Sequence, residues 1–375
     1  MERKLVTIRK VSKLVPIEGA DFIERATVDG WDLVVKKGEF SEGDLGVYFE
    51  IDSVLPEDPR FAFLKKMTIT RGGTGYRIKT IKLRKQISQG LLLPISSFEK
   101  ELEGCGEGDD VTEDLGVWLY EPYVRNGVNS NAECKSIGKK IFPDFLRKTD
   151  QERIQNKMHY FEDYKDHKWE ATKKLDGSSM TIWNYKDAYH VPLSTHEKKE
   201  MGYYKRFKYW LKTLFTHPDT FGVCSRNINL RDKDGNAFWD MAKQIKAQSL
   251  LANHNVAIQG ELIGPNIQSN HEKVDRNYFY VFDIFDIDKQ EYMLPDERVM
   301  WLVHNDPTKR MKTVPHVDVV KIFEKCQSID DMQKYVEGES INEGTISEGM
   351  VFKSMTIKGL SFKCINNNYL LKCEK

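Results

Sequence analysis

The sequence predicts two domains of different fold class, a small all-β barrel over residues 1–120 and a larger α+β domain over residues 149–375. In the first part, short stretches rich in β-branched and aromatic residues are separated by turn residues, which is typical of all-β folds. In the second part, helical patterns alternate with apolar strand patterns. The length of 375 residues also suits two or three domains.

The first domain is predicted to contain five or more short strands. Clusters of Gly, Pro, Asp or Glu separate most of them, as expected for tight turns. Such a number of strands in about 100 residues fits an OB-fold, a five-stranded Greek-key barrel, although an SH3-like barrel would give a similar pattern. The predicted strands are 4–8, 31–36, 45–51, 76–83 and 90–95.

The segment 121–148 is predicted to be an exposed linker, because it is polar and contains an Asn-rich run at 126–131. From residue 149 onward the patterns predict a mixed domain. Its predicted helices are 237–253 and 317–337, and its predicted strands are 169–172, 180–183, 256–262, 278–284 and 350–352.

Composition excludes several classes of function. Lys+Arg and Asp+Glu both number 57, so any binding of nucleic acid must depend on local basic patches and not on net charge. No apolar run approaches the roughly 18 residues of a membrane-spanning helix, and the N-terminus has no apolar signal core. Six scattered cysteines without CxxC favour free thiols in a reducing compartment, cytoplasmic or otherwise intracellular, and the absence of HExxH disfavours a zinc hydrolase.

The sharpest local pattern is Lys174-Leu175-Asp176-Gly177, between the predicted strands 169–172 and 180–183. It places an ammonium and a carboxylate at one strand end beside a tight turn, which suits a lysine nucleophile next to a bound phosphate. A free lysine has a pKa of about 10.4, so it needs neighbouring cations or a metal to lose its proton near neutrality. Taken alone, this short pattern is more simply explained as a surface turn.

Five further segments place charged or aromatic residues next to predicted strands. They are Ser225–Asn227, Gln259–Pro265, Tyr278–Ile284, Ser347–Lys353 and Ser361–Asn366. Together with 174–177, this ordered set resembles the covalent nucleotidyltransferase superfamily of polynucleotide ligases and mRNA capping enzymes. The resemblance implies an α+β nucleotidyltransferase (ATP-grasp-like ligase) domain in which a lysine carries the nucleotide.

The resemblance implies a role for each acidic or aromatic position. Lys174 would form a lysyl-AMP, Glu261 would hydrogen-bond the ribose and Phe282 would stack on the adenine. The acids that would hold the metal ion or its bound water are Asp176, Asp283 and Glu348. The ordinary alternatives are a solvated strand end for Glu261 and a core position for Phe282.

The resemblance also implies a set of ATP-binding cations. Charged residues on apolar strands seldom occur without a partner, and a triphosphate supplies one. The cations are Arg153, Arg226, Lys353 and Lys363, of which Arg226 would contact nucleotide phosphate or RNA. The alternative for Arg226 and Arg153 is a surface position, with Thr149 or Asp150 capping a helix beside Arg153. The implied catalytic set is Lys174, Asp176, Glu348 and Lys363.

Within the superfamily, the order of domains resembles the RNA ligase 5 family. DNA ligases and capping enzymes carry an OB domain after the last motif, whereas only twelve residues follow Lys363 here and the barrel comes first. The runs 43–50 and 76–94 also resemble this family. The resemblance implies an OB-fold nucleic-acid-binding domain at 1–120, a linker at 121–148 and an adenylyltransferase domain at 149–375.

The implied activity is an ATP-dependent RNA ligase that joins a 5′-phosphate to a 3′-OH, with RNA as partner and Mg²⁺ or Mn²⁺ as cofactor. The preference for nicks in a duplex comes from the family alone. Alternatives are an RNA end-joining ligase without template need, an inactive nucleotidyltransferase that acts as a binding module, and a GTP-using capping enzyme. Neither a membrane nor an obligate protein partner is implied.

Two basic stretches are candidates for RNA binding. The barrel carries one basic patch, whose phosphate contacts would make binding salt-sensitive, although a solvated barrel strand explains it equally well. Its members are Arg77, Lys79, Lys82, Arg84 and Lys85. The second stretch, 203–212, has the spacing of an amphipathic helix, for which packing on the domain is the main interpretation and RNA contact the alternative.

Overall fold

The structure is a computed structural model that describes residues 3–69, 74–120, 142–186, 220–233 and 235–372. The basic–aromatic stretch 203–212 and residues 121–141 of the expected linker lie outside the described residues. Within the described ranges, no helix is long and apolar enough to cross a membrane.

The N-terminal region is built from short antiparallel strands, as the sequence predicts. They are β1 (Val6–Lys10), β2 (Lys13–Pro16), β3 (Ile23–Val28), β4 (Trp31–Lys36), β5 (Leu45–Phe49), β6 (Ser53–Leu55), β7 (Tyr76–Arg77), β8 (Thr80–Leu83), β9 (Gln86–Gln89), β10 (Leu91–Pro94) and β11 (Trp118–Leu119). β5 pairs with β1 and β10, β3 with β2 and β4, β6 with β7 and β11, and β8 with β9. Short 3₁₀ helices cover Pro59–Met67 and Ile95–Phe98.

Alternation of side chains along these strands builds the core of this region. In β4, Trp31, Leu33 and Val35 point inward and are buried, while the residues between them are only partly covered. The aromatic side chains of Phe49 and Phe61 pack edge to face in a second buried cluster, with ring centroids 5.8 Å apart.

The N-terminal strands differ from the prediction in two ways. The sequence patterns do not predict the short strands β2, β3, β6, β9 and β11. The single strand expected at 76–83 is two strands, β7 and β8. Ile78 lies between them and is 2% exposed, and its backbone N–H donates to the Ser53 carbonyl oxygen, so the chain turns inward there.

The C-terminal region has eleven described strands and seven described α-helices. The strands are β12 (Trp169–Lys173), β13 (Ser178–Asn184), β14 (Phe221–Ser225), β15 (Asn229–Leu230), β16 (Val256–Ile263), β17 (Tyr278–Asp286), β18 (Glu291–Tyr292), β19 (Lys312–Thr313), β20 (His316–Val320), β21 (Gly349–Ser354) and β22 (Ser361–Ile365). The helices are α1 (Tyr160–Asp163), α2 (Ala237–Gln244), α3 (Ala247–Leu251), α4 (Pro295–Asn305), α5 (Ile322–Lys325), α6 (Ile329–Tyr335) and α7 (Asn367–Lys372), with a 3₁₀ helix at Ile154–Lys157.

Two sheets form the framework of this region. The larger has the strand order β15-β14-β13-β16-β17-β18, with β19 alongside β17, and the smaller has the order β20-β12-β21-β22. Helices α2, α3 and α4 pack on one face of the larger sheet, where Ile182, Ile258 and Val281 are buried. Helices α5 and α6 pack on one face of the smaller sheet, around Trp169 and Phe362. Each sheet therefore has one face free of these helices.

The prediction of two long helices is wrong. The segment 317–337 begins as strand β20, which pairs with β12, and continues as the short helices α5 and α6. Its alternating Val317-Asp318-Val319 fits a strand better than a helix. The segment 237–253 is two helices, because Lys246 adopts a left-handed backbone conformation with φ of 54°.

The end of the expected linker packs on the C-terminal region. Leu146 is 6% exposed and lies in a cluster with Trp183 and Phe285. The Phe145 and Trp183 rings meet edge to face with centroids 5.1 Å apart, and the Gln259 side chain donates to the Arg147 carbonyl oxygen at 2.6 Å. Residues 142–148 are therefore held against the larger sheet.

The N-terminal strands dock on the smaller sheet and its helices. Ile87 of β9 packs with Ile365 and with Tyr369 of α7 in a buried cluster. The guanidinium of Arg153 lies over the Trp31 ring at 5.4 Å from its centroid. These contacts place the N-terminal region beside the last strand of the smaller sheet.

Candidate active site

The two free sheet faces oppose each other and form a cleft lined by polar side chains. On the smaller sheet, Trp169 and Ala171 point to the helices, so Glu170 and Thr172 point to the cleft. Contacts across the gap confirm that the faces meet, because Lys353 of β21 pairs with Asp283 of β17. A cleft of this kind buries polar groups that need partners, which is typical of a ligand site.

Lys174 follows directly after β12 and lies at one end of the cleft. Its backbone N–H donates to the Gly349 carbonyl oxygen at 2.9 Å, which brings it beside the start of β21. Its Nζ lies 2.6 Å from Glu348 Oε1. Burial disfavours the charged form of Lys174. The negative charges of Glu348, Glu261 and Asp176 outweigh this desolvation, so the pKa of Lys174 is raised. The isolated protein therefore holds Lys174 as an ammonium.

Backbone conformation at Gly349 makes this approach possible. Gly349 has φ of +142°, and a Cβ there would lie 2.2 Å from the Cys364 carbonyl oxygen. Gly177 is equally confined, since a Cβ would lie 2.4 Å from the Leu262 carbonyl oxygen. Glycine is required at both positions for close packing of backbone on backbone.

The Asp176 side chain is fixed by groups that the sequence patterns did not indicate. The Tyr369 hydroxyl donates to Asp176 Oδ2 at 2.9 Å, and the Asp176 backbone N–H donates to Glu272 Oε1 at 3.3 Å. Glu272 is completely buried. The turn after Lys174 is therefore held by α7 and by the segment before β17.

Glu261 lies on β16 at the cleft, within electrostatic reach of Lys174. Burial raises the pKa of the Glu261 carboxyl to about 8, and the charges of Glu348 and Asp176 add to this rise while Lys174 opposes it. The Glu261 carboxyl therefore keeps its proton to a higher pH than an exposed glutamate does. A neutral carboxyl can donate one hydrogen bond as well as accept others.

Lys363 of β22 points into the same cleft, and its ammonium pairs with Asp150 Oδ1 at 3.1 Å. Arg226, which follows β14, pairs with Asp150 Oδ2 at 3.1 Å. Burial lowers the pKa of Lys363, and the charges of Lys174 and Arg153 contribute to this lowering while Asp150 opposes it. Asp150 thus joins two cations that come from different sheets, a link that sequence analysis missed because it considered Asp150 only as a helix cap.

Arg153 lies beside Lys363 through a parallel backbone bridge, and it precedes the 3₁₀ helix Ile154–Lys157. No side-chain cap from Thr149 or Asp150 holds this short helix. The guanidinium contacts Trp31 as described, so Arg153 joins the cleft to the N-terminal region.

Lys353 and Asp283 are brought together differently from the expectation. Lys353 Nζ pairs with Asp283 Oδ1 at 2.7 Å, and both side chains are nearly fully buried. Burial lowers the pKa of Lys353 against the opposing charge of Asp283. This ion pair joins the two sheets across the cleft, and the roles of Asp283 as a metal ligand and of Lys353 as a phosphate ligand stay predictions.

Phe282 is half-buried on β17 and faces the cleft. It packs with Leu175, Ile263 and Val314 in a small apolar cluster next to the lysine turn. The Lys353 ammonium lies 5.4 Å from the centroid of its ring. A partly covered aromatic face at this place can stack on a planar ligand.

The described residues suit a metal ion that is held by one or two carboxylates and keeps most of its water. Among them, no group of three or more His, Cys, Asp or Glu side chains is arranged as a metal cage. However, Glu348 Oε2 is buried and makes no hydrogen bond to another described residue. One or two carboxylates with an open oxygen suit Mg²⁺ or Mn²⁺ that keeps most of its water and binds phosphate, and do not suit a structural zinc.

In the basic patch of the N-terminal region, the environment of Arg77 differs from that of the other four residues. Arg77 pairs with Asp52 at 2.5 Å and lies 3.8 Å from the centroid of the Tyr120 ring, so it has local partners. The remaining members, Lys79, Lys82, Arg84 and Lys85, are exposed on and around the β8–β9 hairpin. Arg84 and Lys85 form its two-residue turn, and both have positive φ.

Comparisons with known proteins agree with this geometry. A family model described as an OB-fold domain matches residues 5–95, and a family model described as RNA ligase matches residues 167–366. No curated protein matches the chain. A structure of a Naegleria gruberi RNA ligase mutant with AMP and Mn is 40% identical, with 99% of each chain covered and a TM-score of 0.73.

Two further structures of the same Naegleria gruberi enzyme are similar. A mutant with ATP and Mn is 39% identical, with 100% of each chain covered and a TM-score of 0.73. The enzyme with PPi is 39% identical, with 99% of each chain covered and a TM-score of 0.72. The fold and the cleft thus define a nucleotidyltransferase preceded by an OB-fold domain. The chain belongs to the RNA ligase family, and the expectation drawn from its motifs is confirmed.

Proposed function

We propose that this RNA ligase uses ATP and works through a covalent lysyl-AMP at Lys174. The observation that carries this proposal is the position of Lys174 Nζ, 2.6 Å from Glu348 Oε1 in a cleft that also holds Glu261 and Lys363. A lysine among acids and cations at the end of an inter-sheet cleft suits attack on a phosphate. The solved Naegleria gruberi RNA ligase structures with ATP, AMP and Mn support ATP as the substrate.

Three displacements at phosphorus make up the reaction. Lys174 first gives a proton to water, and its neutral Nζ then bonds to the α-phosphorus of ATP as the bond to pyrophosphate breaks, with a second Nζ proton passing to water. An oxygen of the RNA 5′-phosphate then takes the AMP, and the Nζ–phosphorus bond breaks as Nζ takes protons back from water. Finally the 3′-OH oxygen gives its proton to water and attacks the activated 5′-phosphorus, and AMP departs as the phosphodiester forms. Positioning and charge neutralisation supply most of the catalysis of such steps.

The residues around Lys174 are proposed to have different roles according to their charge. Lys363, Arg153 and Arg226 are proposed to contact the phosphates, in exchange for the present contacts of Lys363 and Arg226 with Asp150. Glu348 and Asp176 are proposed to hold Mg²⁺ or Mn²⁺ and its water, which would neutralise phosphate charge. Because Glu348 also holds the Lys174 ammonium, withdrawal of that carboxylate lowers the pKa of the nucleophile.

The nucleoside is proposed to lie between Glu261 and Phe282. A protonated Glu261 can donate its O–H to a ribose oxygen, and the half-buried ring of Phe282 can stack on adenine. Both side chains lie on the cleft face of neighbouring strands, β16 and β17. This arrangement supports the roles that the motifs imply for these two residues.

The RNA is proposed to carry a 5′-phosphate and a 3′-OH and to be bound as a nicked duplex. The exposed cations of the β8–β9 hairpin are the proposed phosphate contacts, and Arg77 is assigned to the structure of the barrel. Joining of free RNA ends without a template is the second candidate, because the preference for nicks comes from the family resemblance alone.

The proposed domain limits are 1–120 for the OB-fold domain and 149–375 for the adenylyltransferase domain, with the packed segment 142–148 added to the latter. The burial of Leu146 against the larger sheet supports this addition. A reducing, intracellular compartment is also proposed. It is supported by three described cysteines, Cys105, Cys326 and Cys364, which are free thiols.

A sealing assay on three substrates tests the proposed reaction. The substrates are a nicked duplex, the same strands unannealed, and a nick without the 5′-phosphate. We expect a sealed product and a transient 5′-adenylylated strand only with the phosphorylated nick. Equal joining of the unannealed strands would establish the end-joining alternative, and sealing without the 5′-phosphate would refute the proposed chemistry.

A further inference from the structure

Four charged side chains are buried beneath the cleft, next to Phe282. They are Glu170 of β12, Asp283 of β17, Arg298 of α4 and Lys353 of β21, and each is at most 8% exposed. Burial of charge is costly unless each group is paired and hydrogen-bonded. Sequence analysis did not single out Glu170 or Arg298, and none of the roles proposed above uses them.

Two cations of this network converge on one atom. Arg298 Nη2 pairs with Glu170 Oε1 at 2.6 Å, and Arg298 Nη1 donates to the Phe282 carbonyl oxygen at 3.1 Å. Lys353 Nζ donates to the same carbonyl oxygen at 2.5 Å, in addition to its pair with Asp283. Two elements from different layers of the domain, α4 and β21, therefore hold the Phe282 carbonyl, and β12 supplies the acid that pairs with Arg298.

The strand register explains why this carbonyl needs such partners. Gln259 of β16 lies opposite Asp283, and the next residue, Gly260, lies opposite Val281, so Phe282 is an extra residue without a partner in this register. This is a β-bulge, which bends the strand and changes the direction of the side chains around it. The direction of the Phe282 ring thus depends on how the bulge is held.

We propose that Arg298 and Glu170 are positioning residues that hold the bulge at Phe282 and aim its ring at the nucleobase. Lys353 and Asp283 are the other two members of the network that holds this bulge. The inference rests on the proposed function, because it requires that the nucleobase of ATP stacks on Phe282. Arg298 itself does not touch the nucleotide, and it acts through the Phe282 backbone.

A network that only joined the layers of the domain would behave differently. Its loss would lower the melting temperature and leave the KM for ATP unchanged in the protein that stays folded. A positioning network instead raises the KM for ATP when it is broken, because binding then has to reorder the ring, and changes the adenylylation rate at saturating ATP much less. The effect of breaking a positioning network on the KM for ATP also depends on the presence of the Phe282 ring.

The test is a kinetic double-mutant cycle between Arg298 and Phe282. Lysyl-AMP formation from α-labelled ATP is measured for the wild type, Arg298→Met, Phe282→Leu and the double variant. We expect Arg298→Met to raise the KM for ATP about tenfold in the wild-type background and less than about twofold with Phe282→Leu, since residues that act as a unit are not additive. Arg298→Lys is expected to restore part of the affinity.

Arg310 provides a matched control, since it pairs with Asp306 at 3.3 Å in the same domain without reaching Phe282. Arg310→Met should leave the KM for ATP unchanged. If Arg298→Met does not fold, Glu170→Gln keeps the shape of the pair, removes its charge and should shift the KM in the same direction.

An unchanged KM with a lower melting temperature, or equal effects of Arg298→Met with and without the Phe282 ring, would overturn the inference. Absence of any labelled wild-type protein, even after pyrophosphate has removed any AMP bound beforehand, would instead refute the proposed function, and the inference with it.

Discussion

The Lys174 ammonium lies 2.6 Å from the Glu348 carboxylate, so the proposed nucleophile of this ligase is held in its charged form. Two further acids, Glu261 and Asp176, act on the same lysine. An ammonium has no lone pair for attack on phosphorus. We therefore expect loss of the proton to follow a change at Glu348, so that substrate binding starts the chemistry at this ion pair.

Removal of the nucleophile should separate the first step from the last. Lys174→Ala is expected to form no lysyl-AMP, yet to seal a nick whose 5′ end is already adenylylated, because that step does not need the lysine as nucleophile. Lys173→Ala is the matched control, since the ammonium of this neighbouring lysine donates to the Glu339 carbonyl oxygen at 2.8 Å. Failure of a folded Lys174→Ala protein on the adenylylated nick would contradict the assignment of Lys174.

Neutralising Glu348 should change both metal use and pH dependence. Glu348→Gln removes a charge that raises the pKa of Lys174, so the rising limb of adenylylation against pH is expected to move to lower pH. The concentration of Mn²⁺ or Mg²⁺ that gives half-maximal rate should rise about 10- to 100-fold, as for other residues that orient metal-bound water. Rates measured over a grid of pH and metal concentration check both effects. An unchanged metal requirement would remove Glu348 from the metal site.

Glu261 should make the folded protein less stable as pH rises. Its pKa is about 8 in the folded protein and about 4.5 when unfolded, so between these values the folded state holds one proton more than the unfolded state. Stability then falls with increasing pH over this window. Glu261→Gln, which cannot ionise, is expected to flatten the decline in melting temperature between pH 5 and about 8. A parallel decline in both proteins would show that Glu261 does not titrate in this range.

The hairpin cations and Arg77 should give opposite phenotypes. Alanine at Lys79 and Lys85 is expected to weaken RNA binding and to reduce the slope of log affinity against log salt by about one for each phosphate that is no longer neutralised. Arg77→Ala should instead lower thermal stability, because the arginine side chain pairs with Asp52 and stacks on the Tyr120 ring. Binding titrations at several salt concentrations, with melting curves, distinguish the two. An unchanged salt slope in the hairpin variants would place the RNA surface elsewhere.

Much of the site could be predicted because its residues flank strands. Lys174, Glu261 and Glu348 each lie in or next to a strand that borders the cleft, so segments that are distant in sequence meet when the two sheets oppose each other. The two-domain fold class and the RNA ligase family are confirmed for the same reason, since the ordered motifs are local features that tertiary packing preserves.

The parts that could not be predicted depend on tertiary contacts. Glu170 and Arg298 are 128 residues apart, and no local pattern indicates their pairing. The bulge at Phe282 depends on the register between β16 and β17. The expected helix 317–337 fails because β20 gains backbone partners from β12, which outweighs helix propensity. The pairing of Lys353 with Asp283 likewise cannot be predicted from the sequence, because it depends on how the two sheets pack.

The most direct test of the account is covalent labelling with α-labelled nucleotide. The protein is incubated with ATP or GTP and with Mg²⁺ or Mn²⁺, and it is then separated on a denaturing gel. We predict a labelled band from ATP that is absent in Lys174→Ala and is released by added pyrophosphate. A band from GTP alone, or no band even after pyrophosphate has cleared any AMP bound beforehand, would contradict the assignment of Lys174 as the adenylylated nucleophile of an RNA ligase.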